Sequence, residues 1–461
     1  MAIVFVPHWF KPWYTEMEWW LPASWSWVGY PIAIFVGYLI AGVWGETLAR
    51  WKPAHHPSST LKYLPVGLWV IILPILWVSI EFLIMSIPLA MKIGGAFGYT
   101  SISGTQWRTV PVLQVASFTG MYGVTFLILL VNCALAYAVI RFKDYRRVYM
   151  PAIAVILIFG AIFCWGWFSV PPPPSSSVNA AIIQTPEKYE DNPDLYSDLM
   201  MKSLKYEPQI VIGAAPIDEF TDFSREHHIY LLDGTELLSP DAERQHYDIT
   251  YHFINIPDGF SPWEPQRIIS PPIDGFETEF GEVGSLICME SASPTPTRKL
   301  VEAGTQVITT TSMNQGFAWA GLIGGNAVYR AVEFRVPAVS YGVWGGSVII
   351  DPYGRIIEDI APEEEIVAGK IAFAEGKTFY SRYGDIFGYI IVFLALALAV
   401  HNFYLSRKSQ FRYCERCGAE VAKGAETCQQ CGASQIKPPL WKRILFHEYY
   451  GHIDRRKKPK K

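Results

Sequence analysis

The sequence predicts a multi-domain protein in three parts: an α-helical transmembrane bundle, an α/β layered domain and a small zinc-binding module. Three observations predict it. Apolar runs of about 20 residues, enough to cross a hydrocarbon core as a helix, recur in the first part of the chain. Short strands then alternate with amphipathic helices over residues 178–385, the pattern of a layered α/β domain. Two Cys-x-x-Cys pairs follow, at Cys414 with Cys417 and Cys428 with Cys431. Composition agrees, since 51% of the 461 residues are hydrophobic and only 17% are charged, a membrane-protein balance diluted by soluble parts. A net charge of -4 argues against nucleic acid as a partner.

Residues 1–26 are rich in tryptophan but broken by proline and charge, which suits a segment lying at the membrane interface. They lack the basic start and apolar centre of a signal peptide. The bundle is expected over residues 27–170, with about four spans at 27–48, 66–91, 118–140 and 151–170. A last span follows at 386–405. Arg141, Lys143, Arg146 and Arg147 mark their loop as cytoplasmic by the positive-inside rule. Alternation from there puts Arg50, Lys52 and Lys62 inside, residues 171–385 outside, and Arg407, Lys408 and the basic tail 435–461 inside. The expected setting is therefore an inner membrane crossed several times, with the N-terminus outside. Glu46 and Glu81 fall within or near spans, where an ionisable group marks either a binding site or a hydrogen bond between helices. Glu81 is the candidate for substrate binding, in a helix that Pro74 is expected to kink.

Residues 171–177, "PPPPSSS", form a stiff then flexible linker. Beyond it, "VNAAIIQT" and "PQIVIGAAP" read as buried strands, and "PDLYSDLMMKSLKY" as a helix capped by Asn192 or Asp194. "HHIYLLDGTEL" and "EVGSLICME" read as further strands, and "TRKLVEAGTQVITTTS" as a helix, a glycine stop and a strand. Cys288 ends one of these strands with Glu290 two residues on. It is either a nucleophile or a buried thiol, and strand ends are where such folds place reacting groups.

"VNAAIIQT", "GSLICMES", Asn314 in "TTSMNQGFAW", "YRAVEFRVPAVSYGVWGGSVIIDPYGRI" and "TFYSRYGDIFGY" together resemble the carbon-nitrogen hydrolase (nitrilase) superfamily. With "GTQW" and "PVLQVASFTGMYGVTFLILLVNCALA", they resemble more narrowly the apolipoprotein N-acyltransferase family, over residues 64–405. The resemblance implies a nitrilase-like αββα sandwich over 178–385. It implies transfer of an acyl chain from phospholipid to the α-amino group of a lipoprotein, through a thioester on the elbow cysteine, here Cys288.

The family supplies a Glu at the end of "IVWPE" and a Lys ahead of "LVPFGE". Here Ala214 or Ala215 stands at the first position, and His252, aligned on Pro257, at the second. One reading is a rebuilt site. His252 deprotonates Cys288, Glu219 or Asp218 orients the imidazole, and Asn314 lines the pocket, while Glu290 is either part of the chemical set or a structural carboxylate accepting backbone amides. The other is a non-catalytic relative that binds a lipid or a lipidated N-terminus; an amidase-like hydrolase is a third. Arg330 with Glu333 is expected to be an ion pair in the core, and Arg382 and Asp385 anchors at the bilayer. No metal or other cofactor is expected in the catalytic chemistry.

In "CERCGAEVAKGAETCQQCG", within residues 412–434, Cys414, Cys417, Cys428 and Cys431 have the spacing of a closed, structural zinc ribbon. Its predicted cytoplasmic side is reducing, as thiolate ligands require, and it suits contact with a cytoplasmic partner.

Overall fold

The computed structural model describes residues 69–86, 101–140, 145–172, 177–184, 192–213, 217–234, 236–241, 243–246, 275–312, 317–342, 346–359, 365–374, 377–408, 411–414, 419–422 and 425–433. The chain divides into two compact units, residues 1–395 and 396–461.

The first unit is organised by strands whose alternate residues face two different apolar layers. Its strands are β1 (Val178–Ile183), β2 (Ile210–Gly213), β3 (Tyr230–Asp233), β4 (Glu236–Leu238), β5 (Arg244–His246), β6 (Phe276–Thr278), β7 (Gly281–Ile287), β8 (Val307–Ser312), β9 (Ala338–Gly342), β10 (Val348–Ile350), β11 (Ile356–Asp359) and β12 (Ile366–Ile371). One sheet has the order β12-β1-β2-β3-β4-β5 and the other β11-β10-β9-β8-β7-β6. Val178, Ala180 and Ile182 of β1 join Ile210, Ile212, Leu232, Val283, Val307, Val339 and Ile349 in a layer between the sheets. Ala181 and Ile183, pointing the other way, pack with Val211 and Leu231 under Tyr196, Leu199 and Met200. β1-β2-β3 and β7-β8-β9 pair parallel, which requires crossovers, and the crossovers are helical.

The helices of this unit are α1 (Trp69–Ser86), α2 (Val110–Leu113), α3 (Ala116–Thr119), α4 (Met121–Ile140), α5 (Tyr145–Phe168), α6 (Pro193–Ser203), α7 (Thr221–His227), α8 (Pro294–Ala303), α9 (Phe317–Phe334), α10 (Phe379–Tyr383) and the start of α11 (Ile386–Lys408). Asn192, of the two expected caps, accepts the Leu195 amide and starts α6. α8 stops at Gly304, whose φ of 125° only glycine adopts readily, and β8 follows, as the sequence suggests.

Two expectations are corrected. "HHIYLLDGTEL" is not one strand but the hairpin β3-β4, because Gly234 with φ 41° turns the chain. The apolar run 118–140 is broken at Gly120, with φ 65° and ψ -175°, so α3 ends and α4 begins there.

Among the described residues one segment, Met121–Ala138, is long and apolar enough to cross a membrane. Shorter apolar helical stretches are Val70–Leu83, Val110–Thr119, Ile153–Phe168 and Ile386–Val400, and Pro74 lies inside α1. The expected span 27–48, Glu46 and the interfacial segment 1–26 lie outside the described residues.

At the far edge of the sandwich a side chain takes the place of a strand rung. Gln245 of β5 accepts the Glu277 amide at 2.8 Å and donates to the Glu277 carbonyl at 2.9 Å, joining the two sheets. At the linker, Asp351 holds the "DPYGR" turn by accepting the Tyr353 and Arg355 amides, and Arg355 donates to the Pro171 carbonyl at 2.8 Å.

In the second unit, β13 (Phe411–Tyr413) and β14 (Glu420–Ala422) form an antiparallel hairpin. Cys414 and Cys428 are buried with Val421 in a small core of alanines and cysteines.

Candidate functional site

Both parallel triplets end at the same rim of the sandwich. The Gln184 side chain, just past β1, accepts the Ser347 amide at 3.3 Å across the sheets. Ser285 of β7 donates to the Gly234 carbonyl just past β3, and a Cβ on Gly234 would touch Thr311 of β8. Cys288 follows β7 at this rim, beside the Ile287–Thr311 rung. Ala214, Ala215, His252 and Asn314 lie outside the described residues.

Cys288 opens a 3-10 turn, Cys288–Ala292, between β7 and α8. Glu290 is 4% exposed, and its Oε2 accepts the Ile287 amide at 2.8 Å, closing the turn at its start. The Ser293 hydroxyl then accepts the Thr295 amide and caps α8. At the other end of the turn, Arg330 Nη1 donates to the Ser291 and Ala292 carbonyls, at 3.4 Å each. The elbow is thus held at both ends by charged side chains.

Arg330 and Glu333 form the expected ion pair at 2.7 Å, with 1% and 0% of their side chains exposed. Burial pushes the Glu333 carboxyl up, and the Arg330 guanidinium opposes this. Glu333 Oε1 also accepts the Met121 amide at 2.8 Å, at the start of α4.

The "TFYSRYGD" residues anchor the return to α11. Thr378 caps α10 and donates its hydroxyl to the Glu333 carbonyl, and the Tyr380 hydroxyl donates to Asp385 at 2.6 Å. Arg298 of α8, which sequence reasoning missed, donates to the Tyr380 and Ser381 carbonyls at 3.1 Å and lies over the Tyr380 ring. No local signal marked it, because its partners are more than 80 residues away in sequence. Arg382 is exposed and stacks on Tyr383.

Glu219 is exposed on the 3-10 turn Ile217–Phe220 after β2. Its neighbour Asp218 is engaged by Arg244, at 2.9 Å, and Arg244 also pairs with Glu236. Glu81 is not at the rim. Its carboxylate accepts hydrogen bonds from Ser101 at 2.6 Å, Thr125 at 3.1 Å and Trp77 at 3.2 Å. The arrangement is the helix-to-helix hydrogen bonding that was one of its two expected roles.

In the second unit the sulfurs of Cys414, Cys428 and Cys431 lie within 4.8 Å of one another, with Cys414 and Cys431 3.5 Å apart. Cys417 lies outside the described residues.

Residues 151–379 match the carbon-nitrogen hydrolase family model. The apolipoprotein N-acyltransferase of Geobacter metallireducens is 27% identical over 393 residues, which cover 72% of this chain and 73% of that protein. The apolipoprotein N-acyltransferase of Thermotoga maritima is 26% identical over 357 residues, 68% of each chain. Among solved structures, an amidase from Nesterenkonia sp. aligns with a TM-score of 0.35 and 15% identity, covering 47% of this chain and 96% of that one.

Proposed function

We propose, from the premise that this chain is a homologue of the apolipoprotein N-acyltransferases and carries a carbon-nitrogen hydrolase domain, that it moves an acyl group from a phospholipid to a lipoprotein amine through Cys288. The observation that carries this reading is the placement of Cys288 at the C-terminal end of β7, on a turn braced by Glu290 and Arg330. In the first step the Cys288 thiolate adds to the ester carbonyl of the lipid. The tetrahedral oxyanion then expels the lipid alkoxide, which takes up a proton, and a thioester remains. In the second, the amine adds to the thioester carbonyl, loses a proton and expels the thiolate, leaving an amide. His252 is the proposed acceptor of the thiol proton and Glu219 its orienting partner; Asn314 lines the pocket. Glu290 serves by shaping the turn. Glu81 serves the bundle, although a lipid that reached it would find its carboxylate already holding three donors.

A membrane setting is supported by Met121–Ala138 and by the exposed apolar faces of α5 and α11. Leu157 is 66% exposed, Phe168 84% and Phe393 70%, surfaces that water would not favour and acyl chains would cover. The basic loops favour a multi-pass arrangement in the inner membrane, with residues 171–385 outside and the cysteine-rich module inside.

For that module we propose one structural zinc. A tetrahedral ion with Zn–S near 2.3 Å needs sulfurs about 3.8 Å apart, and the 3.5 Å between Cys414 and Cys431 suits it. Cys428 would add a third thiolate and Cys417 the fourth. Such an ion would hold the fold of the module, which in turn would offer a surface to a cytoplasmic partner.

A second reading, binding of lipid or lipoprotein without turnover, is favoured by one feature, the alanines at 214 and 215 where the family carries its glutamate. Removing a general base costs about 100-fold or more. Incubating the purified protein with radiolabelled phospholipid separates the two. Turnover predicts a hydroxylamine-sensitive adduct on Cys288 that is absent in Cys288→Ser and in His252→Ala. A folded protein without any adduct supports binding alone, and full activity in His252→Ala removes the histidine from the mechanism.

A further inference from the structure

The Arg330–Glu333 pair does more than fill the core, because each member has a second set of contacts on a different part of the molecule. Arg330 reaches the Ser291 and Ala292 carbonyls, which close the turn that begins with Cys288. Glu333 reaches the Met121 amide, the first residue of α4, with an otherwise unused Oε1. Its main-chain carbonyl accepts the Thr378 hydroxyl, at the head of α10. Four segments, the elbow, α9, α4 and the approach to α11, therefore meet at two side chains that water does not reach.

We propose that Arg330 and Glu333 are positioning residues, which tie the seat of α4 to the geometry of the Cys288 turn. This rests on Cys288 being the nucleophile of the proposed reaction. The physical case is the stiffness of the bridge. The ion pair and the Met121 bond are both buried, where attraction between opposite charges is little screened and water does not replace a lost partner. The turn itself spans only five residues, so the carbonyls that Arg330 holds lie three and four residues from the cysteine. Among the described residues α4 also holds the segment long and apolar enough to sit in a bilayer, so a displacement of that helix would be felt at the nucleophile through one amide, one carboxylate and one guanidinium.

Met121 offers a sharp test. As the first residue of α4 it can become proline with little strain, since the first helical position tolerates proline and the preceding Gly120 has an extended ψ of -175°. Met121→Pro deletes the amide given to Glu333, and because it also removes a buried side chain whose Sδ lies 3.9 Å from Arg330 Nη2, Met121→Leu, which keeps the amide, is its control and should behave as the parent. Glu333→Gln keeps an acceptor for that amide and removes the ion pair. Arg330→Lys keeps a charge and is the conservative rescue. The full-length protein in nanodiscs is assayed for acyl transfer, and Cys288 is separately alkylated with iodoacetamide across pH 6 to 10, the modified peptide being quantified by mass spectrometry. The expected result is a fall of about tenfold in kcat at unchanged KM for Met121→Pro and Glu333→Gln, in keeping with the sensitivity of reaction rates to small misplacements. The alkylation rate of Cys288 should change at least threefold in the same two variants, and Arg330→Lys should lie between them and the parent. Wild-type alkylation profiles in folded Met121→Pro and Glu333→Gln overturn the inference, whatever the transfer assay gives. Unimpaired transfer in Cys288→Ser instead overturns the proposed reaction, and the alkylation profiles are read independently of it.

Discussion

The Glu290 carboxylate receives the Ile287 amide at 2.8 Å, so the acid two residues beyond Cys288 is folded back to seal the base of the turn that carries the cysteine. Hydrogen bonds to a charged group contribute about 1.5–3 kcal/mol. Glu290→Ala is expected to lower stability by about that amount and to abolish the acyl adduct. Glu290→Gln, whose amide oxygen can still accept from Ile287, should fold normally and retain part of the adduct. Thermal unfolding in detergent and adduct counting check both; a fully inactive but stable Glu290→Gln would give the carboxylate a chemical role of its own.

Gly120 makes a second expectation. Its φ of 65° with ψ -175° is a region that glycine alone occupies readily, and a Cβ there would lie 2.6 Å from the buried Tyr380 ring. Backbone strain and overpacking each cost about 1–3 kcal/mol. Gly120→Ala should therefore lose more than about 2 kcal/mol. Tyr380→Leu alone loses its bond to Asp385, so the comparison is a double-mutant cycle: the Gly120→Ala penalty should be smaller in the Tyr380→Leu background by the packing share only, as measured by chemical unfolding of all four proteins.

Asp233, at the end of β3, gives a pH dependence with a definite sign. Burial, aided by the nearby Glu236 charge, raises its carboxyl to about 7. The native protein then binds this proton more tightly than the unfolded chain, so the contribution to stability is complete below about pH 4 and disappears as the pH rises through 7. Asp233→Asn should flatten the decline in melting temperature between pH 4.5 and 7.5. An identical slope in the variant would assign the decline to other groups.

For the cysteine module, the purified wild-type protein should carry about one zinc per chain, and Cys414→Ser or Cys428→Ser well under half of that, by elemental analysis. Chelation should expose the second unit to protease while the sandwich stays resistant. Metal-free wild-type protein with a protease-resistant second unit would remove the ion from its fold.

The layered sandwich was legible because its signals are local. β1 shows its two faces within six residues, and the helix, glycine and strand of residues 294–312 follow from one cap and one stop. The elbow was legible for the same reason. What failed was either a single backbone torsion or a long-range contact. Gly120 breaks a continuous apolar run through φ alone, which hydrophobic pattern does not report, whereas the turn at Gly234 was carried by the Asp233-Gly234 pair, a hairpin signal that the apolar residues on either side concealed. Glu81 meets Ser101 and Thr125, 20 and 44 residues away, and Arg298 meets Tyr380 at 82, separations at which no periodicity survives. The Arg330–Glu333 pair was read correctly from its spacing, whereas its outer contacts with Ala292 and Met121 belong to the tertiary structure.

Because Gln245 grips Glu277 through both of its amide atoms, the polypeptide departs after His246 and returns at Gly275 across the width of one side chain. The outer edges of the two sheets are clamped to each other there, so a main-chain rung of β6 that another chain could otherwise pair with is already taken.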